Sequence, residues 1–327
     1  MLPANQPAEH WYEVAGEQTV VVELPRDDAP RGDYIEWWYY NGHLATAAGR
    51  RFAFHYVVFT VDAFPTHTAA HVSLIDLQTG RHFTAQRRTA GNPSRGTIDG
   101  FRFVLGDWQM VGGGGDDQLR VTTPDFSFNL RLTEGAPPVM QGGTGLISFG
   151  LIGSSYYYTR PRMPVTGAVR LDGEIFNVTG VAWFDRQWGD FKVTELGWDW
   201  FALQLDDGTD IMLYQLFDSD GLPVLMSGTA ARDGRTTVLH EGDFQVTVVE
   251  RWTSPTTGIE YPMGWRVEIP AQAIELSVSP LVRNSEFDGR TTLYTVYWEG
   301  PVAISGSHHG QGFVEMSGYG ASAATPP

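Results

Sequence analysis

Cysteine is absent from the 327 residues, which excludes disulfides, thiolate nucleophiles and cysteine-ligated metal centres, and leaves the redox compartment open. Positive charge is scarce: 22 Lys and Arg stand against 38 Asp and Glu, a net charge of −16. Such a surface repels phosphate backbones and anionic membranes, so nucleic acid is excluded as an expected partner. No apolar run approaches the roughly 18 residues a membrane span requires. The segment Met1-Leu2-Pro3-Ala4-Asn5 has neither a basic n-region nor an apolar h-region. A soluble chain is expected, cytoplasmic or exported after removal of a leader, monomer or homodimer. Helix periodicity is also scarce.

Aromatic residues, Gly and Pro are abundant. They make up 13% of the chain, 38 residues and 19 residues respectively, and the apolar runs are short and rich in Val, Phe, Tyr and Trp. That pattern specifies an all-β protein. The first strong element is Glu36-Trp37-Trp38-Tyr39-Tyr40-Asn41-Gly42-His43-Leu44, followed by a polar turn and Arg51 to Phe59, a wide hairpin with aromatics on both faces. A strand apolar on both faces must be covered on both. Short strands follow, separated by turn residues at Thr79-Gly80, Gly91-Asn92-Pro93, Gly112 to Gly115 and Thr123-Pro124, as in an up-and-down barrel. Asp172-Gly173 is a strong hairpin signal. Thr19 to Leu24 is a short strand candidate.

A weak repeat divides the chain. Trp198 to Phe217 echoes the hairpin beginning at Trp37, with Trp37 aligned to Trp198 and Leu44 to Leu205, both at an offset of 161 residues. Duplication of one barrel unit accounts for it. The expected organisation is an extension over 1–33, barrel domains over 34–191 and 192–320, and a disordered tail over 321–327.

One stretch resists sorting: Val181 to Phe191, V-A-W-F-D-R-Q-W-G-D-F, shows no period that separates an apolar face from a polar one. Asp185-Arg186 between Trp183, Phe184 and Trp188 suits a carboxyl held in a partly dry pocket, where desolvation and a neighbouring cation oppose each other. An ion pair closing a strand end under a tryptophan lid accounts for the same pattern. Glu36 is a candidate buried acid or a rim residue. His55 lies in an otherwise apolar strand, the pattern of a satisfied core histidine.

Metal sites find little support. His67-x-x-x-His71 has helical spacing in strand-like surroundings, and His308-His309 point to opposite faces of a strand. Ser148 lacks the glycine of a nucleophile elbow, and Gly112 to Gly115 lacks phosphate-loop spacing. No cofactor or metal is expected.

The motifs E-W-W-Y-Y-N-G-H-L, Y-Y-Y-T-R-P-R with V-T-G, W-F-D-R-Q-W-G-D, S-P-T-T-G-I-E-Y-P-M-G-W-R-V-E-I-P, Y-W-E-G-P-V and G-x-G-F-V-E-M-S-G-Y span Asp33 to Tyr319. Together they resemble the AttH/CrtC lipocalin-like family, which includes carotenoid 1,2-hydratases and fungal decalin-forming Diels–Alderases. The resemblance implies two lipocalin-like antiparallel β-barrel domains with a site at or near their junction and an apolar polyene or terpenoid-like substrate. On hydratase lines, Asp185 is the acid that protonates a C=C bond before water captures the cation. Arg186 and Asp190 would set its protonation, and Glu36 is a second candidate acid. Trp37, Trp38, Tyr39, Trp183 and Trp188 would wall the pocket, with His55, Tyr157, Trp198 and Trp200 as further substrate contacts. On Diels–Alderase lines, the pocket folds a polyene while Tyr157 or Trp183 polarises a carbonyl. A non-catalytic lipid or polyene carrier is the third reading.

Overall fold

The computed structural model describes residues 21–62, 64–150, 153–191 and 196–320. Thr19, Val20 and the tail after Gly320 lie outside them, and Val21 to Leu24 form no strand.

The first sheet contains β1 (Ile35–Ala45), β2 (Arg51–Val61), β3 (His67–Asp76), β4 (Arg81–Ala90), β5 (Phe101–Leu105), β6 (Trp108–Gly112), β7 (Asp116–Thr122), β8 (Phe126–Thr133), β9 (Val139–Met140), β10 (Leu146–Ser148), β11 (Gly153–Leu171) and β12 (Glu174–Phe191). The second contains β13 (Gly197–Leu205), β14 (Asp210–Phe217), β15 (Pro223–Arg232), β16 (Arg235–Leu239), β17 (Gln245–Thr253), β18 (Glu260–Ile269), β19 (Ile274–Pro280), β20 (Glu286–Asp288), β21 (Val296–Gly306) and β22 (Gly310–Ser317). Both are antiparallel near-barrels, so the chain is almost entirely β.

The strand orders repeat. The first sheet runs β4-β3-β2-β1-β12-β11-β8-β7-β6-β5, and the second β16-β15-β14-β13-β22-β21-β19-β18-β17. In each, the opening strand pairs with the next strand and with the closing strand of its unit. The first sheet's open edge is held by Arg87 on β4, which donates to the Leu105 carbonyl at 2.6 Å and pairs with Asp107. The long hairpin β11–β12 turns at Asp172 (φ 52°) and Gly173 (φ 81°), the left-handed pair that a tight Asp-Gly turn requires.

Val181 to Phe191, the stretch without a visible period, is continuous strand within β12. Its alternation is real, but each face meets a buried compartment. Ala182, Phe184 and Trp188 join Trp38, Tyr40, Phe52, Phe54 and Tyr56 inside the first barrel. Trp183 and Phe191 join Tyr39, Val57, Tyr157, Trp200, Tyr214 and Phe313 in a separate cluster between the barrels. The second barrel has its own core around Phe201, Leu213, Trp265, Trp298 and Val314. Strands β1, β2 and β12 are therefore covered on both sides, as the double-faced aromatic pattern demands.

Residues 21–33, expected as an extension, close the first barrel. Val22 enters its core, and the buried Asp28 pairs with Arg160 and accepts from Gly114 N at 2.7 Å.

Candidate active site

The junction cluster contains two buried carboxyl groups, Asp185 and Glu299, and a third, Glu315, that is partly exposed. Asp185 is only 3% exposed and satisfied on both oxygens. Tyr157 Oη donates to Oδ2 at 2.6 Å, while Thr159 Oγ1 and Trp183 Nε1 donate to Oδ1 at 2.5 and 2.9 Å. Trp200 Nε1, from the second barrel, donates to Tyr157 Oη at 3.0 Å. Burial pushes the Asp185 carboxyl up to about 7, outweighing the donors from Thr159, Tyr157 and Trp183, which pull it down.

The strand register explains the other two. Tyr39 faces Asp185 across β1–β12, and Trp200, its counterpart at the 161-residue offset, faces Glu315 across β13–β22. One strand further, Thr159 faces Asp185 and Glu299 faces Glu315. Glu315 thus occupies in the second barrel the position of Asp185 in the first. Burial also lifts Glu315 to about 7, with the Asp185 charge adding and the Trp198 Nε1 donor opposing. Trp198 Nε1 lies 3.1 Å from Glu315 Oε1. Burial and the Glu315 charge hold Glu299 well above the usual carboxylate range, against a hydrogen bond from Tyr39 Oη at 2.5 Å. Asn41 Nδ2 donates to that phenol at 3.0 Å.

One histidine meets Glu299 directly and a second lies beyond it. His55 Nδ1 lies 3.2 Å from Glu299 Oε2 and 2.8 Å from Ser73 Oγ, and burial keeps the ring neutral. His71 stacks on Phe287 at 4.6 Å and on Tyr297 at 5.8 Å. Aromatic edges complete the lining: Trp200 meets Tyr39 at 5.4 Å and Trp183 at 6.2 Å, and Trp37 meets Phe191 at 5.8 Å. Among the described residues, no three His, Cys, Asp or Glu side chains group so as to hold a metal ion. No described helix is long and apolar enough to cross a membrane.

The expected site therefore divides in two. Asp185, Trp37, Tyr39, His55, Tyr157, Trp183, Trp198 and Trp200 gather at the junction. Arg186, Glu36, Trp38 and Trp188 do not, because alternate residues of a strand leave on opposite faces. Arg186 is fully buried inside the first barrel, pairs with Glu36 and lies 3.8 Å from the Trp38 ring centre and 4.6 Å from that of Trp188. Its Nη1 and Nη2 donate to the Gln187 and Ala29 carbonyls at 3.0 Å each, while its buried Nε meets no acceptor. Glu36 also accepts from Arg31 N at 2.9 Å and Gly32 N at 2.7 Å. Asp190 is exposed and accepts from Tyr34 N at 2.8 Å. Neither Arg186 nor Asp190 pairs with Asp185, which corrects both the expected control of its protonation and the alternative Asp185–Arg186 ion pair. Trp38 and Trp188 wall the Arg186 compartment and not the junction.

Glu299, Glu315, Thr159 and Tyr297 went unrecognised in the sequence, and His71 stood out only as a possible metal ligand. A signal existed for the two glutamates, each a lone carboxylate in an apolar strand, Y-W-E-G-P-V and F-V-E-M-S.

Two consecutive barrels of one topology, with acids at equivalent positions of the shared face, define a duplicated β-barrel protein with its polar chemistry at the junction. The chain belongs to the AttH-like family, which it matches over residues 15–319. A solved structure from Nitrosomonas europaea assigned to AttH superimposes with a TM-score of 0.84 at 29% identity, over 94% of this chain and 99% of that one. The structure of kievitone hydratase from Nectria haematococca shares the fold, with a TM-score of 0.76 at 19% identity over 94% of this chain and 96% of that one. Kievitone hydratase of Fusarium solani subsp. phaseoli is 23% identical over 311 residues, which cover 90% of this chain and 83% of that protein. Dehydratase asqC of Emericella nidulans is 23% identical over 212 residues, which cover 62% of this chain and 59% of that protein.

Proposed function

We propose that the protein is an enzyme of hydratase or dehydratase type that adds water to, or removes it from, an apolar unsaturated molecule held between the barrels without a cofactor. The observation that carries this reading is Asp185: a fully hydrogen-bonded carboxyl, buried among aromatic rings and raised to about 7, which keeps a transferable proton at neutral pH. In the hydration direction, Asp185 transfers its proton to one alkene carbon, whose π electrons form the new C–H bond. The adjacent carbon becomes cationic. Faces of Trp183 and Trp200 stabilise that charge by roughly 0.5–2 kcal/mol each. Water bonds to the cation and loses a proton to an ionised carboxylate, the role this reading gives to Glu315. Dehydration is the same path reversed.

The names of two relatives, a hydratase and a dehydratase, support the reaction type. A carotenoid-like polyene is the finer substrate reading, from the resemblance and the tryptophan lining. Mass spectrometry of wild type and Asp185→Asn with acyclic carotenoids and other linear polyenes in H2-18O tests it. Product heavier by one labelled water in wild type alone is expected. Substrate returned at unchanged mass overturns hydration; an altered retention time then identifies a cyclase of Diels–Alderase type, and an unaltered one a carrier.

A further inference from the structure

Behind Glu299, away from Asp185, the polar groups form an unbroken file to the outer side of β4, and their hydrogens can be assigned from that end. Gln86 Nε2 donates to the Asp288 carbonyl at 2.6 Å, which turns Gln86 Oε1 toward Thr292. Thr292 Oγ1 donates to that oxygen at 2.7 Å. Its only hydrogen is then used, so His71 Nε2, 2.6 Å away, must be the donor to Thr292. His71 is neutral, because burial pushes it down to about 3, and its Nδ1 therefore accepts from Tyr297 Oη at 3.0 Å. The Tyr297 oxygen is left to accept from His55 Nε2 at 3.5 Å, the longest link. His55, also neutral, presents a bare Nδ1 to Glu299 Oε2 at 3.2 Å.

We propose that Glu299, His55, Tyr297, His71 and Thr292 form a proton conduit joining the junction site to solvent at the β4 rim. Transfer balances at every step. The Glu299 proton passes to His55 Nδ1 as His55 Nε2–H passes to the Tyr297 oxygen. In the same concerted shift, so that the phenol never carries two protons, the Tyr297 proton moves to His71 Nδ1, His71 Nε2–H to Thr292 Oγ1, and the Thr292 proton leaves Gln86 Oε1 for a solvent molecule admitted beside the half-buried Gln86 side chain. Each intermediate group keeps its charge, both histidines change tautomer, and one proton has left Glu299. The reverse sequence recharges it. Ser73 Oγ, 2.8 Å from His55 Nδ1, holds that nitrogen when Glu299 is ionised. The other titratable neighbours are Glu315, which bears on Glu299 and Tyr297, and His82, itself pushed down to about 4 by burial. Gly289 leaves room for the relay: a Cβ there would stand 2.8 Å from His71 Cε1. A site that consumes or releases one proton per turnover needs such a path, so the conduit's purpose rests on the lyase reading; its existence does not.

The test needs no substrate. Long-range 1H–15N spectra of 15N-histidine-labelled protein should show His55 and His71 neutral with the proton on Nε2. In His71→Phe, which keeps the stack on Phe287 and Tyr297 without ring nitrogens, solvent exchange of the His55 Nε2–H should slow by about tenfold or more, the equivalent of one lost hydrogen bond on the path. Thr292→Val should slow it likewise, and serves should His71→Phe not fold. An Nδ1–H tautomer or an imidazolium at either histidine, or exchange indifferent to both variants, overturns the conduit. Exchange that depends on His71, in a protein that turns over no unsaturated substrate, upholds the conduit and refutes the lyase reading alone.

Discussion

Two buried acids lie on neighbouring strands of the first barrel, and their surroundings differ in kind. Glu36, on the inward face, has a guanidinium, two backbone amides and two tryptophans around that guanidinium. Asp185, on the outward face, has three neutral donors, and no guanidinium pairs with it among the described residues. Charge balance makes the first a fixed structural pair. Without that balance, the second rises toward neutrality and becomes able to give up a proton near pH 7. Asp185 and Arg186 are consecutive on the strand and face opposite compartments, so the chemistry of each carboxyl is set by the compartment it faces.

The sharpest break of this contrast is Asp185→Asn. Turnover of whatever unsaturated substrate is identified should fall by roughly 10²–10⁴-fold, as expected for loss of a general acid. Glu36→Gln should leave the pH–rate profile of the same assay in place. Next in size is Arg186→Met, which strands the Glu36 charge in the barrel and should cost about 3–5 kcal/mol in urea unfolding. The double variant Glu36→Met/Arg186→Met should recover most of that loss; no recovery would show that Arg186 acts through its packing on Trp38 and Trp188.

Stability against pH sharpens the comparison at intermediate size. Asp185 and Glu315 are raised to about 7, so above the ordinary carboxylate range the folded state binds more protons than the unfolded state, and stability falls as pH rises through about 7. Buried histidines act in the opposite sense, but only below their ordinary value of 6.5, since His43 and His82 are depressed to about 4 and His71 to about 3. Above about pH 7 the histidine contribution fades and the raised carboxyls, Glu299 among them, dominate. Thermal midpoints should therefore decline between about pH 7 and 8 in wild type and decline less steeply in Asp185→Asn/Glu315→Gln. The smallest effect is Thr159→Val, which removes one donor to ionised Asp185. The alkaline limb of the pH–rate profile, where Asp185 loses its proton, should move up by roughly one unit, the equivalent of one hydrogen bond to a charged group; a downward move would mean that Thr159 stabilises the neutral acid.

Much of this was legible beforehand. The Asp172-Gly173 turn, the doubly apolar β1–β2 hairpin and the 161-residue offset each rest on local or repeating chemistry. Asp185 stood out because a charged residue among tryptophans is conspicuous. Arg186 and Asp190 misled because nearness in sequence was read as nearness in space, whereas β12 sends Asp185 and Arg186 to opposite faces and leaves Asp190 in solvent. Glu299 and Glu315 lay in quoted motifs and still went unrecognised, since nothing within Y-W-E-G-P-V tells which side of its strand is dry.

The residues by themselves determined the strands, their turns and the duplication, because alternation, β-branching and Asp-Gly turns act over a few neighbours. Which face of β12 looks into a barrel and which onto its twin was decided only when the second sheet packed against the first. Aromatics line both faces, so the pattern is the same read from either side. The groups that distinguish them, Trp200 on Tyr157 and Glu299 beneath Tyr39, arrive from 43 and 260 residues away.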